Sequence, residues 1–146
     1  MSPLGFSVSG SAAIIFVGVF LAFSTAYTAS SNGLEQMNDA RSAVDDEALE
    51  RQNTAISITN ATYNDSTGTL TVDVVNEGST ELSVGVVDVL VDNTYRTNIS
   101  VQEVAGDAET DLWLPGERLH LELSVPSPPN RVKIVSGPGI AVTEVL

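Results

Sequence analysis

The first 34 residues of the chain carry no charged side chain, and all 25 charged residues lie in Glu35–Leu146. Inside that neutral leader, Ser9–Ala29 reads SGSAAIIFVGVFLAFSTAYTA. At about 1.5 Å per residue such a run makes about 30 Å of helix, one bilayer core. The rest of the chain is strongly acidic. A chain divided in this way is expected to hold an acidic domain at one side of a membrane. That fits an anchored structural protein better than a free enzyme.

The acidic part narrows the partners. Asp and Glu total 19 against 6 Lys and Arg, for a net charge of −13, and Lys133 is the only lysine. No basic stripe is present to meet phosphates, so a nucleic-acid partner is not expected. An anionic lipid surface is disfavoured for the same reason. An acidic, lysine-poor surface with few large aromatics fits life in very high salt. At about 1 M ionic strength the screening length is about 3 Å, so surface carboxylates repel one another little. An ordinary solubilising surface has the same composition. Cysteine is absent, which excludes disulfides, thiolate metal sites and a thiol nucleophile.

The leader reads as an uncleaved anchor. A secretory signal needs a positive n-region and a short apolar core. Met1–Ser9 has no Lys or Arg, and the apolar run is long. A prepilin-type signal needs a basic residue just before its cleavage glycine, and here Leu4 precedes Gly5. Gly18, Ala22, Ala26 and Ser30 recur every four residues. They form a candidate stripe of small side chains along which a second helix can approach closely. From Asn32 to Asn53 there is no proline, and Leu34, Met37, Val44 and Ala48 keep a three-four spacing with Arg41 interrupting it. This predicts a weakly amphipathic acidic helix, or stalk, that a coiled-coil partner or a second copy stabilises. A partly disordered acidic linker is the alternative.

Beyond Ala55 the apolar period changes to two. Ile56 and Ile58, then Leu70, Val72 and Val74, alternate with polar residues around the turn Asp65-Ser66-Thr67-Gly68. A second turn is read at Asn76-Glu77-Gly78-Ser79. Leu82, Val84 and Val86 then change phase to Val87, Val89 and Val91, which predicts a β-bulge or bend near Gly85. Tyr95, Thr97, Ile99 and Val101 form one further strand face. Leu119, Leu121 and Leu123 come next, then Val132 with Ile134, and Ile140 with Val142. About seven short strands with turns every 8–12 residues predict an antiparallel, immunoglobulin-like β-sandwich. The fold class is thus mainly β behind an N-terminal transmembrane helix. The boundaries are 1–30 for the anchor, 31–54 for the helical stalk and 55–146 for the sandwich domain. Trp113 has no cysteine pair to pack on and is expected at the sandwich edge or core beside Pro115.

Residues able to do chemistry are few. His120 is the only histidine, on the outward face of its strand, with no nucleophile elbow or phosphate-binding glycine loop elsewhere. No catalytic, cofactor or metal residue is assigned. Glu103, Asp107, Glu109 and Asp111 gather on one glycine-containing segment without the full calcium-loop spacing. They read as a solvated acidic loop and a candidate partner-facing surface. Asn60, Asn64 and Asn98 each open an Asn-x-Ser/Thr triplet, the N-glycosylation acceptor of an exported surface. Asn60 has the parity of Ile56 and Ile58 and is the least exposed by pattern.

The leader GFSVSGSAAIIFVGVFLAFSTAYTA, the stalk opening Leu34-Glu35-Gln36-Met37, and the segments VVNEGSTELSV, VDVLVDNTY, LWLPGERLHLEL and RVKIVSGPGIAV resemble the ArlF family, formerly FlaF. These are accessory proteins of the archaellum, the archaeal motility filament, and the likeness is closest to halophilic versions. The resemblance implies a non-catalytic stator without cofactor. Its single membrane helix would lie in the cell membrane, with an immunoglobulin-like domain outside, in the pseudoperiplasm. That domain would bind the S-layer protein and work with an ArlG-like partner and motor components. A homodimer through a sandwich edge fits the same plan. Two other readings stand beside it: a pilin-like or minor filament subunit, and a membrane-tethered surface module that binds carbohydrate or ions.

Overall fold

A computed structural model describes the protein from Leu4 to Leu146, with side-chain surroundings from Val8 onward. Met1–Pro3, at the start of the neutral leader, lie outside the described residues. The chain divides into two compact units that part at Asp45/Asp46.

The first unit is helical. Helix α1 spans Leu4–Asn53, 50 residues without a break, so anchor and stalk are one element. No proline interrupts it, and its apolar and acidic halves differ only in side chain. Between Val8 and Asn53 every residue is exposed except the half-buried Ser31. Thr25 and Thr28 donate their hydroxyls back to the carbonyls of Ala22 and Ser24, at 2.9 and 3.0 Å. Inside a bilayer these side chains would need no outside partner. By length and composition the helix can cross a membrane.

The second unit holds the last turns of α1 and a β-sandwich of ten strand segments. They are β1 (Ile56–Asn64), β2 (Thr69–Asn76), β3 (Leu82–Ser83), β4 (Asp88–Val91) and β5 (Thr94–Arg96). Then come β6 (Ile99–Val104), β7 (Leu112–Trp113), β8 (Arg118–Ser124), β9 (Arg131–Val135) and β10 (Ala141–Val145). One sheet has the order β1-β2-β8-β6, the other β10-β9-β4-β5, and β3 pairs with β7 alone. With β3 and β7 set aside, this is the immunoglobulin arrangement with one strand added beside β4. The alternation read from the sequence places the core. Leu70, Val72 and Val74 of β2, Leu119, Leu121 and Leu123 of β8, and Val132 and Ile134 of β9 are all fully buried. Trp113 joins them, and its indole N–H donates to the Glu117 carbonyl at 2.9 Å. Its place is the core rather than the edge.

Tight turns set the register. Gly68, at φ +66°, donates its N–H to the Asn64 carbonyl at 2.8 Å and closes the β1–β2 hairpin. Asp92 and Asn93 both have positive φ, the pairing that a two-residue hairpin between β4 and β5 requires.

The structure settles three details. Of the bulge or bend expected near Gly85, the structure has the bend, where the chain passes from β3 to a different sheet at β4. A single 3-10 turn, Val84–Val86, occupies the phase change, because Asp111 accepts N–H groups that a ladder would otherwise use. The Asp111 carbonyl takes the N–H of Val84 at 2.9 Å, and its carboxylate takes that of Gly85 at 2.7 Å. The Tyr95–Val101 alternation is also not one strand. The chain leaves β5 at Arg96 and enters β6 of the other sheet at Ile99, and Tyr95 is exposed. Finally, register slips occur between Ile58 and Asn60 and between Ile99 and Val101. The first turns Asn60 outward against its sequence parity, because one extra residue exchanges the faces of a strand.

Candidate functional site

The feature that sets this sandwich apart is the way the chain enters it. A helix leaves its last carbonyls without partners inside the helix. Here the β2–β3 turn supplies them. Ser79 donates its N–H to the Asn53 carbonyl at 2.9 Å, and Thr80 its hydroxyl to the Glu50 carbonyl at 3.4 Å. Glu77 and Gly78 donate to the Ala55 carbonyl at 2.8 and 3.0 Å. Buried Thr54 closes the helix end with a 2.6 Å hydroxyl bond to Glu50. A Cβ on Gly78 would lie 2.4 Å from the Asn53 oxygen and 2.6 Å from the Ala55 nitrogen. Only glycine lets the turn come this close.

Asn76 holds that turn from beneath. It is fully buried, and its amide donates to the carbonyls of Thr80 at 2.8 Å and Trp113 at 3.2 Å. Its side-chain oxygen accepts the Gly78 N–H at 3.1 Å. One side chain thus joins the core tryptophan strand, the turn and, through the turn, the helix end. A buried amide with its bonds made fixes one geometry. Sequence reasoning marked Asn76-Glu77-Gly78-Ser79 only as a turn. The one signal of more was an Asn at an inward parity, in step with Leu70, Val72 and Val74.

A polar row crosses the outer face of the first sheet. His120 Nδ1 lies 2.7 Å from Asp73 Oδ1, and Asn60 donates to Asp73 Oδ2 at 3.2 Å. Glu122 lies 3.5 Å from His120 Nε2. The bond with Asp73 raises the His120 pKa above its ordinary value, against the opposing effect of burial. Burial pushes Asp73 upward, but its bonds to His120 and Asn60 outweigh that and hold its carboxyl below the usual range. His120 is therefore a cross-strand partner rather than a lone surface imidazole.

The acidic segment is spread out. Glu103 lies in β6, half-buried, and Asp107 comes after the Ala105-Gly106 turn with its carboxylate accepting the Glu109 N–H at 2.8 Å. Asp111 is committed to the fold: it takes the Ser83 hydroxyl at 2.7 Å, and this bond and the one from Gly85 lower its pKa. Among the described residues no group of three or more His, Asp or Glu is placed to hold a metal ion. Asn60, Asn64 and Asn98 are all exposed. In two triplets the hydroxyl residue already bonds the Asn side-chain oxygen, Thr62 to Asn60 at 3.0 Å and Ser66 to Asn64 at 2.6 Å. Asn98 instead donates its amide to the Ser124 carbonyl at 2.8 Å. On α1, Gly18, Ala22, Ala26 and Ser30 are exposed, and a Cβ on Gly18 would meet nothing within 4 Å.

These features define a class: a β-sandwich of immunoglobulin arrangement, entered from a helix long and apolar enough to span a bilayer, with no catalytic constellation among the described residues. The chain belongs to the archaeal-type flagellin family, whose model matches residues 5–143. Membership ties it to the archaeal motility machinery, the archaellum. Among solved structures it is similar to the archaellum periplasmic stator protein FlaG from Sulfolobus acidocaldarius, with 20% identity and a TM-score of 0.46. The match covers 64% of this chain and 99% of that one, a likeness too slight to bear on function. Among curated proteins there is no match.

Proposed function

We propose that the chain is an anchored, non-rotating component of the archaellum, of the ArlF type and adapted to high salt. Residues 1–30 hold it in the cell membrane as a single span, 31–54 act as the stalk, and 55–146 lie outside in the pseudoperiplasm. The outer domain grips the S-layer protein and works with an ArlG-like partner and motor components, singly or as a homodimer. The observation that carries this reading is the helix-to-sandwich joint. A part that resists motor torque must pass load from membrane to wall without a hinge. The bonds from the 77–80 turn to the carbonyls of Glu50, Asn53 and Ala55, set on Asn76, make a stiff connection at that point. Exposed glycans on Asn60, Asn64 or Asn98 fit a domain outside the cell. Glu103, Asp107 and Glu109 offer it an acidic partner-facing surface, while Asp111 is occupied within the fold.

Family membership favours a second reading, a filament subunit. The leader opposes it: Leu4, not a basic residue, precedes Gly5, so the prepilin-type cleavage signal that such a subunit needs is missing. Affinity capture from native membranes in high salt, with a tag after Leu146, separates the two. Recovery of S-layer protein and motor components supports the anchored reading, and recovery of filament subunits alone overturns it.

A further inference from the structure

At the end of the sandwich near the β1–β2 turn lies a cleft of about 410 Å³. Thr67 and Gly68 line it from that turn, Arg96 and Asn98 from the β5–β6 crossing, and Ser124, Val125 and Pro126 from the end of β8. Arg96 stands opposite Val89 in the β4–β5 ladder. Residues directly opposite in an antiparallel pair share a face, and Val89 is fully buried. Arg96 therefore leaves the inner face of its sheet at an edge strand. Its Nε is closed off from water and has no hydrogen-bond partner. Among the described residues no carboxylate pairs with it, in a chain that carries 19 of them. An inward charge on an edge strand deters unwanted strand pairing, which explains its position. It does not explain why the arginine lining this cleft is left without a carboxylate partner.

We propose that this cleft binds an acidic saccharide, a sugar ring bearing a carboxylate or sulfate. The acid group lies on the Arg96 fork, whose planar donors suit such an oxyanion. The ring hydroxyls meet Thr67 and Ser124, and an apolar ring face lies on the exposed Pro126. The walls are already fixed. Tyr63 donates to the Val125 carbonyl at 3.0 Å, Asn98 to Ser124 at 2.8 Å, and the Val125 N–H to Gly68 at 2.8 Å. A simple ion uses one donor and leaves most of the space empty. An acidic peptide brings several charges to a chain of net charge −13 with one arginine to meet them. An acidic sugar brings one charge and many hydroxyls. The assignment rests on the cleft and not on the anchoring reading.

The test is a titration of the full chain in detergent, following the Arg96 Nε–H signal by nitrogen-15 NMR. The probes are glucuronate, 6-sulfated N-acetylglucosamine, glucose, glutamate and potassium chloride. A saturable shift with either acidic sugar is expected, with glucose, glutamate and chloride at least about tenfold weaker. R96K keeps the charge but loses the fork, and is expected to bind the acidic sugar about tenfold more weakly at an unchanged melting temperature. Glucose binding as well as glucuronate overturns the proposal, as does glutamate or chloride binding as well as the acidic sugars. So does unchanged binding by R96K. If R96K does not fold, the wild-type titration decides alone. None of these outcomes alters what membrane capture recovers.

Discussion

Asn76 and Trp113 are 37 residues apart, yet the buried Asn76 amide donates to the Trp113 backbone carbonyl at 3.2 Å, outside the ladder between β3 and β7. The same amide reaches Thr80, in the turn that takes the helix end. Asn76→Ala would leave the Thr80 and Trp113 carbonyls without this donor, while the Gly78 N–H keeps the Ala55 carbonyl. Each such group costs about 1–3 kcal/mol where water cannot replace the bond. Chemical denaturation monitored by Trp113 fluorescence is expected to show a loss of about 3 kcal/mol.

Gly78 tests the joint separately. Gly78→Ala puts a Cβ against backbone on both sides, at 2.4 Å from Asn53 and 2.6 Å from Ala55. Neither atom is the end of a flexible side chain, so the turn must move. A loss of about 1–3 kcal/mol is expected. Limited proteolysis is expected to cut at Asn53–Ala55 in the variant and leave the wild type whole there.

The Asp73–His120 pair makes stability depend on pH in two directions. His120 has a raised folded pKa, so its contribution is full below the ordinary value of 6.5 and is lost as pH rises through the folded value. Asp73 has a lowered one, so its contribution is present above 3.8 and is lost as pH falls through the folded value. The pair is therefore at full strength between those limits. Both groups are partly solvated, so the amplitude is about 0.2–1 kcal/mol. Thermal melting at constant salt is expected to show this decline as pH rises above 6.5 in the wild type and not in His120→Gln.

The small-residue stripe predicts close helix approach. Gly18→Ile fills it, and the helix association constant in detergent, read by cross-linking, is expected to fall about tenfold. The same change at exposed Phe20, off the stripe, is expected to have little effect.

Glycosylation is expected at Asn64 before Asn98. Asn64 is exposed in the β1–β2 hairpin, whereas the Asn98 amide is already bonded to Ser124. Mass spectrometry of peptides from the native protein reads the occupancy at each site.

Where period and burial act on the same residues, the sequence was legible. The eight-residue alternation of β2 and the Leu119–Leu123 face map directly onto the core. The unbroken helix agrees with the lack of proline between Leu4 and Asn53. Illegible features depend on groups far apart in the chain. The 3-10 turn at Val84–Val86 exists because Asp111, more than 20 residues later, takes the Gly85 N–H. The outward turn of Asn60 comes from a bulge that composition does not mark. The joint was hidden because its donors are backbone N–H groups, which every residue but proline carries. The pairing of His120 with Asp73 required knowing that β2 and β8 are neighbours.

The most direct test of the central claim is where the chain resides. Filaments are sheared from cells carrying the tag after Leu146, and the protein is quantified in the filament and membrane fractions. An anchored stationary component is predicted to remain in the membrane fraction with the uncharged leader intact. Recovery in the filament, with the leader cut beside Gly5, would contradict the account.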